Sequence, residues 1–442
     1  MNTQAAMLAA LFEKSLNLGP EWKVVDAEFR EVAGGKDELH VFVERATGSA
    51  MFCTACGGMH GVYDTREREW RHLDIWQYRT IVHCKVPRVG CPIHGVVTVR
   101  VPWEADDAKH FTALFAAQVV VMALSGLTVS AIGELLGETD TRLWRAIRAC
   151  VARACAHADY SDVRAVGVDE TAKKRGHDYL SAFVDLDARR VVSVQEGRDA
   201  GTVAGFADDL AAHGGDAEAV EAVTCDLSPS FASGIAVHMP QAARIADRFH
   251  VIQLFTKAVD KVRAAEARES EGKRDLLKRT RWLWLKNEAN LKASQLSRKR
   301  ELAKENLKTG RACAMKEAMQ RIYECTSRAE AAEALDALTS WMAHSNLAPM
   351  KPVAKTIAKN REEILAYFDF RRTNSILEGL NSVIQSVKRA ARGYRNFENF
   401  KAMISCTWGS CRSGSPRGMV PTRNSEGPTF GVEQEKEPER RF

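Results

Sequence analysis

The sequence lacks any long, uninterrupted hydrophobic run. The longest apolar stretch, around residues 111–124, is interrupted by Thr112 and Gln118 and falls short of the ~20 residues that a membrane-spanning helix needs. The first twenty residues contain neither a basic start nor a long apolar core, so they do not have the pattern of a secretory signal. We therefore expect a cytoplasmic protein with no membrane partner.

The chain also lacks internal repeats and a strong overall charge. The net charge is +6 over 442 residues, but residues 257–311 hold 17 Lys and Arg against 8 Asp and Glu, a local excess of +9. Such a block is usually the solvated face of a helical segment, and at this size it also fits a polyanionic partner. A hydrophobic content of 45% supports real cores, and the length allows two to four domains.

Cysteine, in contrast, is well represented, with eleven residues. Without a secretory signal, clustered cysteines bind metal more often than they form disulfides. Cys53-Thr-Ala-Cys56 and Cys91-Pro-Ile-His94 are separated by 34 residues that are typical of hairpin strands. The two pairs have the spacing of two knuckles of one tetrahedral zinc site. We predict a structural Zn²⁺ bound by Cys53, Cys56, Cys91 and His94 in a zinc ribbon, and no catalytic zinc, because four protein ligands leave no open position.

Other potential ligands lie nearby in the sequence. Cys84 shares an alternating face with Val82 and Val86, which favours a place in the core. Three histidines remain competitors for the metal, although each is more typical of a structural or exposed residue: His60, His72 and His83.

A helix-turn-helix is predicted within "LTVSAIGELLGETDTRLWRAIRAC". Thr128 can cap the first helix, Thr139 or Asp140 the second, and Gly137 separates them. Trp144, Ile147 and Val151 form the predicted core stripe of the second helix. On another side of that helix lie the residues that we predict to contact DNA: Arg142, Arg145 and Arg148. An ordinary helical hairpin with exposed arginines is the alternative.

A strand-like run, "VGVDETAKKRGHDYLSAFVDLD" at residues 166–187, contains a carboxylate at Asp169. A carboxylate within a sheet is costly unless something charged pairs with it, so the choice is between a surface hairpin and a metal-binding acid. Further strand-like runs end near Asp226 and Asp247. Three antiparallel strands, a helix and two more strands are the order of an RNase H-like sheet. In that fold the first and fourth strands are neighbours, which would bring Asp169 and Asp226 together, while Glu170 would face away.

A helix predicted downstream, within "RRTNSILEGLNSVIQSVKRAARGYRNFENF", carries Glu378 beside a polar and basic face. A single Glu on a helix is ordinarily solvated, but with two strand-end aspartates it can complete a metal site. The predicted phosphate-binding residues of this segment are Lys388, Arg389 and Arg392. Trp282 and Trp284 could stack on an unpaired base, although core packing is the expectation that we adopt for both. His250 is expected to be structural.

Residues 163–403 resemble the catalytic domain of bacterial insertion-sequence transposases of the DDE type, in the group with a zinc-binding N-terminus written here as IS-L-three. The motifs that carry the resemblance are "VGVDETAKKRGHDY", "TCDLSPSF", "ADRFHVIQ" and "TNSILEGLNSVIQSVKRAARGYRNFENF". With the cysteine-rich start and the helix-turn-helix, it extends over roughly 50–403; the tail after 405 has no match in the family pattern. The resemblance implies a catalytic triad of Asp169, Asp226 and Glu378, and it places His250 near the metal site.

The fold class that follows is multidomain α+β, in which an N-terminal zinc ribbon and helix-turn-helix precede an RNase H-like α/β catalytic domain with a helical insertion. The predicted domains are a zinc ribbon at 1–105, a helix-turn-helix domain at 106–160, the first part of the catalytic core at 161–256, a basic helical insertion at 257–365, the C-terminal part of the core at 366–405 and a disordered tail at 406–442.

The resemblance also implies the chemistry and the partners. Three carboxylates bind two Mg²⁺ ions, for which Mn²⁺ can substitute, and cleave and transfer DNA strands at terminal inverted repeats. Implied partners are double-stranded terminal-repeat and target DNA and further copies of the chain, in a homodimer or larger assembly at the bacterial nucleoid. Two alternatives are an RNase H-like structure-specific nuclease and a non-catalytic zinc and helix-turn-helix DNA-binding protein.

Overall fold

The computed structural model describes residues 3–32, 37–105, 108–172 and 178–408. The chain separates into two compact units. The first contains residues up to His157 together with those from Val387 onward, and the second contains Ala158–Ser386. In the described residues, no helix is long and apolar enough to cross a membrane.

The first unit begins with a helix and a five-stranded sheet. Its elements are α1 (Thr3–Ser15), β1 (Trp22–Arg30), β2 (Glu38–Arg45), β3 (Val62–Arg71), β4 (Arg79–Cys91) and β5 (Gly95–Thr98). The strand order is β1-β2-β4-β3, with β5 paired to β4. Only β2 and β4 run parallel among these pairs. One face of β4 buries Val82, Cys84 and Val86, so the predicted core position of Cys84 is confirmed.

Three helices follow the sheet: α2 (Ala113–Leu124), α3 (Val129–Leu136) and α4 (Asp140–Ala156). The Thr128 hydroxyl caps α3 by accepting a hydrogen bond from the Ala131 N–H at 3.2 Å. Gly137 ends α3 with φ +65°, a left-handed conformation that glycine adopts without strain and that satisfies the last turn. Thr139 precedes α4 without a side-chain cap. The predicted two-helix arrangement and its separation at Gly137 are therefore confirmed.

The second unit is built on another five-stranded sheet, with β6 (Ala165–Ala172), β7 (Tyr179–Asp185), β8 (Arg190–Glu196), β9 (Ala222–Cys225) and β10 (Ala243–Ala246). The order is β10-β9-β6-β7-β8. Strands β6, β7 and β8 are antiparallel, whereas β9 runs parallel to β6 and β10 parallel to β9. The expected pairing of the first strand with the fourth is confirmed.

Helices α5 (Ala200–Ala211) and α6 (Pro229–His238) cover one face of this sheet. Phe206 and Phe231 are buried there against Val166 and Val168. Because side chains alternate along a strand, this face leaves the opposite side of β6 to Gly167 and Asp169.

A helical segment follows β10, with α7 (Arg248–Glu266), α8 (Glu271–Leu277), α9 (Arg281–Leu285), α10 (Ala293–Ala303), α11 (Lys308–Ile322), α12 (Arg328–His344), α13 (Met350–Lys359) and α14 (Arg361–Phe370). These helices share a hydrophobic core that includes Phe255, Trp284 and Met319. Core packing of Trp284 is confirmed at 1% exposure, but the same expectation is wrong for Trp282, which is 56% exposed. In a helix, residues two apart face different directions, so α9 buries only one of the two rings.

The last helices are α15 (Ser375–Ala390) and α16 (Phe397–Trp408). Helix α15 starts in the second unit, and its residues from Val387 belong to the first. Helix α16 packs Ala402, Met403 and Cys406 into the core of α2, α3 and α4. The segment predicted as one C-terminal part of the catalytic core, 366–405, is thus divided between the units. Helix α16 extends past the predicted tail boundary at 406, and the rest of that predicted tail, 409–442, lies outside the described residues.

Candidate functional sites

The four predicted zinc ligands form one cluster. The ligand atoms of Cys53, Cys56, Cys91 and His94 all lie within 4.8 Å of one another. Gly57 has φ +68° and donates its N–H to the Cys53 carbonyl at 2.8 Å, which folds the first knuckle. The second knuckle is the turn from β4 into β5. Three sulfurs and one imidazole nitrogen match the donor set of a closed tetrahedral zinc site.

Local hydrogen bonding also prepares the second knuckle for a metal. Burial opposes ionisation of Cys91, but backbone hydrogen bonds from His94 and Ile93 outweigh it and lower the pKa of the thiol to about 6. Zinc binds the thiolate form. A site in which one sulfur already favours that form therefore fits Zn²⁺.

The competing histidines lie outside this cluster. The His72 Nδ1 is 2.9 Å from the Thr112 hydroxyl, and burial, with repulsion from Arg71, lowers the pKa of His72 to about 4. His83 stacks on His40 with ring nitrogens 2.7 Å apart. His60 is half-buried and is not one of the four clustered groups.

Helix α4 presents the predicted arginines in two different environments. Arg145 and Arg148 are exposed, whereas Arg142 donates to Glu138 at 2.7 Å and lies 4.8 Å above the Phe111 ring. Arg142 is thus partly committed to the fold, and the exposed pair is better placed to meet a phosphate backbone.

The core stripe predicted for α4 is confirmed for Ile147 and Val151, which are buried. Trp144 is only partly buried, and it packs edge-on against Tyr394 with ring centroids 6.2 Å apart. Leu143 and Ala146 supply the rest of the buried surface.

A buried ionic network holds the turn between α3 and α4. The Glu138 side chain is 1% exposed and accepts from Arg142 at 2.7 Å and Arg79 at 2.9 Å, with Arg71 at 3.5 Å. Arg71, also 1% exposed, donates to the Leu136 carbonyl at 3.2 Å. The sequence gives no periodic signal for these contacts, because they join the β3–β4 hairpin to a distant turn. They fix the helix-turn-helix to the sheet.

In the second unit, three carboxylates follow strand positions that are aligned across the sheet. Gly167 of β6 pairs with Thr224 of β9, and Thr224 pairs with Ile245 of β10. Each of these three residues is followed, two positions later, by an aspartate: Asp169, Asp226 and Asp247. Residues two apart share a face, and neighbouring strands lie ~4.8 Å apart. The register therefore brings the two predicted aspartates to neighbouring positions at one edge, with Asp247 beside them.

Helix α15 covers the face on which Asp169 lies. Asn381 donates to the Asp169 carboxylate and accepts from the Thr171 hydroxyl at 2.6 Å. Asn374 donates to the Val168 carbonyl at 3.2 Å and accepts from the Thr224 hydroxyl. A Cβ on Gly167 would lie 2.8 Å from the Leu377 side chain, so the glycine allows the close approach of the helix. These contacts hold α15 on both central strands.

The predicted third acid, Glu378, lies in the first turns of α15. Its backbone position is one residue after Leu377 and three before Asn381, both of which contact β6 or its carboxylate. Lys388, Arg389 and Arg392 are different: they follow Val387 and so belong to the first unit. Arg389 and Arg392 are exposed and Lys388 is half-buried.

Asp169, at the sheet edge that also carries Asp226 and Asp247, has a perturbed pKa. Burial raises the pKa of Asp169 to about 6, with repulsion from Asp247 adding to it while His250 and hydrogen bonds from Glu170 and Asn381 oppose it. Neighbouring carboxylates, one of which has a raised pKa although His250 lies nearby, favour either a proton or a cation. The site therefore has the donor chemistry of a divalent metal site.

His250 and Asp247 form a hydrogen-bonded pair. Asp247 had no predicted part in the site, whereas His250 was expected to be structural and the family resemblance placed it near the metal site. Their Nδ1 and Oδ2 atoms are 2.7 Å apart, and Asp247 is 6% exposed. This hydrogen bond raises the pKa of His250, aided by attraction to Asp169 and Asp226. The spacing Asp-x-x-His at the start of a predicted helix could have indicated this pair. The Asp247 side chain caps α7, and His250 lies three residues later, one turn into the helix and beside the cap.

Strand alternation places the Glu170 side chain on the face of β6 opposite to that of Asp169. Its carboxylate is 3.7 Å from Arg198, which precedes α5. Burial, with a smaller contribution from Asp226, raises the pKa of Glu170. The expected orientation toward the other face agrees with this contact.

Comparison with known proteins gives a consistent match. Residues 166–404 match a family model described as a transposase, residues 49–94 the zinc-finger of transposase IS204/IS1001/IS1096/IS1165, and residues 99–151 the helix-turn-helix domain of transposase family ISL3. The transposase for insertion sequence element IS1557 of Mycobacterium tuberculosis is 28% identical over 439 residues, which is 92% of this chain and 97% of that protein. The transposase for IS1001 of Bordetella parapertussis is 30% identical over 366 residues, 80% of this chain and 88% of that protein.

Proposed function

Because the chain belongs to the ISL3 family of transposases, with a zinc ribbon and a DNA-binding helix-turn-helix domain, we propose that it binds the terminal inverted repeats of an insertion sequence and catalyses Mg²⁺-dependent strand cleavage and strand transfer. The observation that supports this proposal is the register of β6 and β9, in which Gly167 pairs with Thr224 two residues before Asp169 and Asp226. The hydrogen bond from Asn381 to Asp169 adds support, because Asn381 lies on α15, the helix that contains Glu378.

Asp169, Asp226 and Glu378 would hold the metal. The fit rests on the donor set: neighbouring carboxylates supply the oxygen ligands that Mg²⁺ and Mn²⁺ prefer. The raised pKa of Asp169 fits as well, because a bound cation would relieve the cost of its buried charge. Two ions bound there would supply a nucleophile by lowering the pKa of a water, and would stabilise the leaving 3′ oxygen.

The residues of the chain have separate tasks in this proposal. Asn381 orients the Asp169 carboxylate by donating to it while bonded to Thr171. The hydrogen bond with Asp247 raises the pKa of His250, which favours its protonated form, and that form can attract the phosphate that is cleaved. The attacking group is water in cleavage and the freed 3′-OH in strand transfer, so no covalent enzyme–DNA intermediate is needed.

DNA recognition is assigned to the first unit. Arg145 and Arg148 on α4 are exposed to meet the terminal repeat, with Arg142 contributing from its contact with Glu138. Lys388, Arg389 and Arg392 would contact phosphates. Each chain carries one triad, whereas an element has two ends to join to one target DNA, so we propose a homodimer or larger assembly that works at the nucleoid.

The test uses the purified chain with labelled duplexes that carry the inverted repeats bordering its own gene. The proposal predicts cleavage at the repeat boundary in Mg²⁺ or Mn²⁺, and joining of the freed 3′ end to a second DNA. Equal cutting of branched DNA without the repeats would instead support a structure-specific nuclease. Repeat binding with no cutting in either metal would support a non-catalytic DNA-binding protein.

A further inference from the structure

Trp76 occupies the tip of the hairpin between β3 and β4. Ile75 and Tyr78 exchange two backbone hydrogen bonds of 3.0 and 3.2 Å, so Trp76 and Gln77 form a two-residue turn. The Trp76 side chain is 82% exposed, the highest value among the large exposed hydrophobic residues in the described part of the chain. Its backbone has φ +55°.

Both features are unfavourable for the isolated fold. A left-handed backbone is unfavourable for a residue that carries a side chain, and bulky residues are true outliers there. Within the described residues, Trp76 joins no aromatic pair and no cation–π contact. Strained residues cluster at binding and active sites, and among the seven described non-glycine residues with positive φ Trp76 is the one large apolar side chain.

The hairpin is held rigidly beside the recognition helix. Three residues after Trp76, Arg79 donates to Glu138 at 2.9 Å, in the turn just before α4. Two residues before it, Asp74 is 2.5 Å from Arg71, which in turn donates to the Leu136 carbonyl at the end of α3. The N-terminal end of a recognition helix is the end that contacts base edges, and these contacts tie the residues on both sides of the hairpin tip to the turn that leads into that end.

The surroundings of the tip are suited to DNA. Arg79 and Arg142, flanking Glu138, keep 37% and 33% of their side chains exposed, and Arg145 is exposed on the next turn of α4. Acids pair with the arginines of the hairpin and the turn, since Arg79 contacts Glu38 and Glu138 and Arg71 contacts Asp74, which leaves Arg145 as the exposed basic residue on this side of α4. Minor-groove proteins combine such arginines with an apolar wedge, the part that the Trp76 ring would take.

We propose that Trp76 contacts the terminal-repeat DNA, inserting its indole at a base step of the minor groove that flanks the major-groove site of α4. The inference rests on the proposed binding to terminal repeats. A rigid protrusion next to a helix that fills the major groove meets the adjoining minor groove across one phosphate backbone. The ring would supply an uncharged contact that adds to the ionic contacts of the arginines.

The test is a Trp76→Gly variant of the full chain, titrated with a terminal-repeat duplex at several salt concentrations. Glycine adopts φ +55° without strain, so this variant should fold at least as stably as wild type. We expect about tenfold weaker binding with an unchanged dependence on salt, because no charge is removed. Trp76→Phe should retain most of the affinity. The matched control is Val237→Ala, which truncates a 69% exposed apolar side chain on α6 in the second unit and should bind as wild type does.

A second measurement locates the Trp76 ring on the DNA. With 2-aminopurine at successive positions of the repeat, fluorescence should rise at one step with wild type and not with Trp76→Gly. Unchanged affinity of Trp76→Gly would overturn the proposal, as would a loss of self-association without any loss of DNA affinity, which would make Trp76 a subunit contact. If wild type itself shows no preference for the repeats, the proposed function fails and this proposal fails with it.

Discussion

Replacing Asp169 by Asn is expected to stabilise the metal-free protein while it abolishes catalysis. Burial raises the pKa of Asp169 from 3.8 to about 6. Between these two values the folded state keeps a proton that the unfolded chain releases, so stability falls as the pH rises. The loss is absent below about pH 4 and complete above about pH 6 to 7. Because Asn carries no charge, the stability of the Asp169→Asn variant does not fall in this pH range for this reason.

The magnitude follows from the size of the shift. A difference of about 2 pH units corresponds to ~3 kcal/mol at neutral pH. The Asp169 carboxylate accepts hydrogen bonds from the Asn381 side chain and the Glu170 N–H, and an amide has only one oxygen to accept them. Losing one such bond costs about 1 kcal/mol. We therefore expect a net gain of about 2 kcal/mol at pH 8, or a rise in Tm of about 4–8 °C for a unit of this size.

The assay is thermal unfolding of both proteins in a chelator from pH 4.5 to 8, repeated with Mg²⁺. The advantage of Asp169→Asn should grow through pH 4 to 6 and then stay constant. Mg²⁺ should stabilise wild type and leave the variant unchanged, since the variant lacks a ligand. A variant that is less stable than wild type at pH 8, or whose advantage does not depend on pH, would refute the assignment of a buried, uncompensated charge to Asp169.

Three further predictions concern the first unit. The chain should contain about one zinc, and Cys53→Ser should lose it and destabilise the first unit; metal analysis that finds no zinc in wild type would contradict the ribbon site. Changing Arg145 and Arg148 together to Glu should weaken terminal-repeat binding in gel shifts, and most strongly at low salt; unchanged affinity would mean that α4 is not the recognition helix. Glu138→Ala should cost about 1–3 kcal/mol in urea unfolding, because it removes the buried acceptor of Arg79 and Arg142 and one of the two carboxylates beside Arg71; no measurable loss would show that the network contributes little.

Local patterns predicted much of the architecture. Alternating residues in β6 and the apolar run before Asp226 predicted neighbouring strands, and the register confirms that arrangement. Paired Cys and His spacing predicted a four-residue cluster, and the ligand atoms converge as expected. Such features depend on the spacing of nearby residues, which the sequence contains directly.

Contacts between segments that are far apart in the sequence could not be predicted from local patterns. The burial of Glu138 among arginines depends on how the β3–β4 hairpin meets the turn before α4. The placement of α16 against α2 and α4 likewise depends on tertiary packing, because its apolar residues alone do not specify which surface they cover. Core packing was expected for both Trp282 and Trp284. In a helix as short as α9, the tertiary contacts decide which of the two rings is buried.

The Asp247–His250 pair depends both on local spacing and on tertiary packing. Its spacing was visible, but a strand-end aspartate that caps a helix is common, and only the aligned register of β9 and β10 brings the pair to the row of acids. From the residues alone His250 was therefore expected to be structural, only the family resemblance placed it near the metal site, and Asp247 was given no part in the site.

The most direct measurement of the central claim is the rate at which a labelled terminal-repeat duplex is cleaved in Mg²⁺ by alanine variants of four acids, with end binding measured beside each rate. Asp169→Ala, Asp226→Ala and Glu378→Ala should each bind the duplex nearly as wild type does and fail to cut it. Glu170→Ala, the neighbour on the opposite face near Arg198, should still cut. Normal cutting by all three triad variants would contradict the metal-site account, and a dead Glu170→Ala beside an active Asp169→Ala would show that the catalytic carboxylate of β6 is on the other face of the strand.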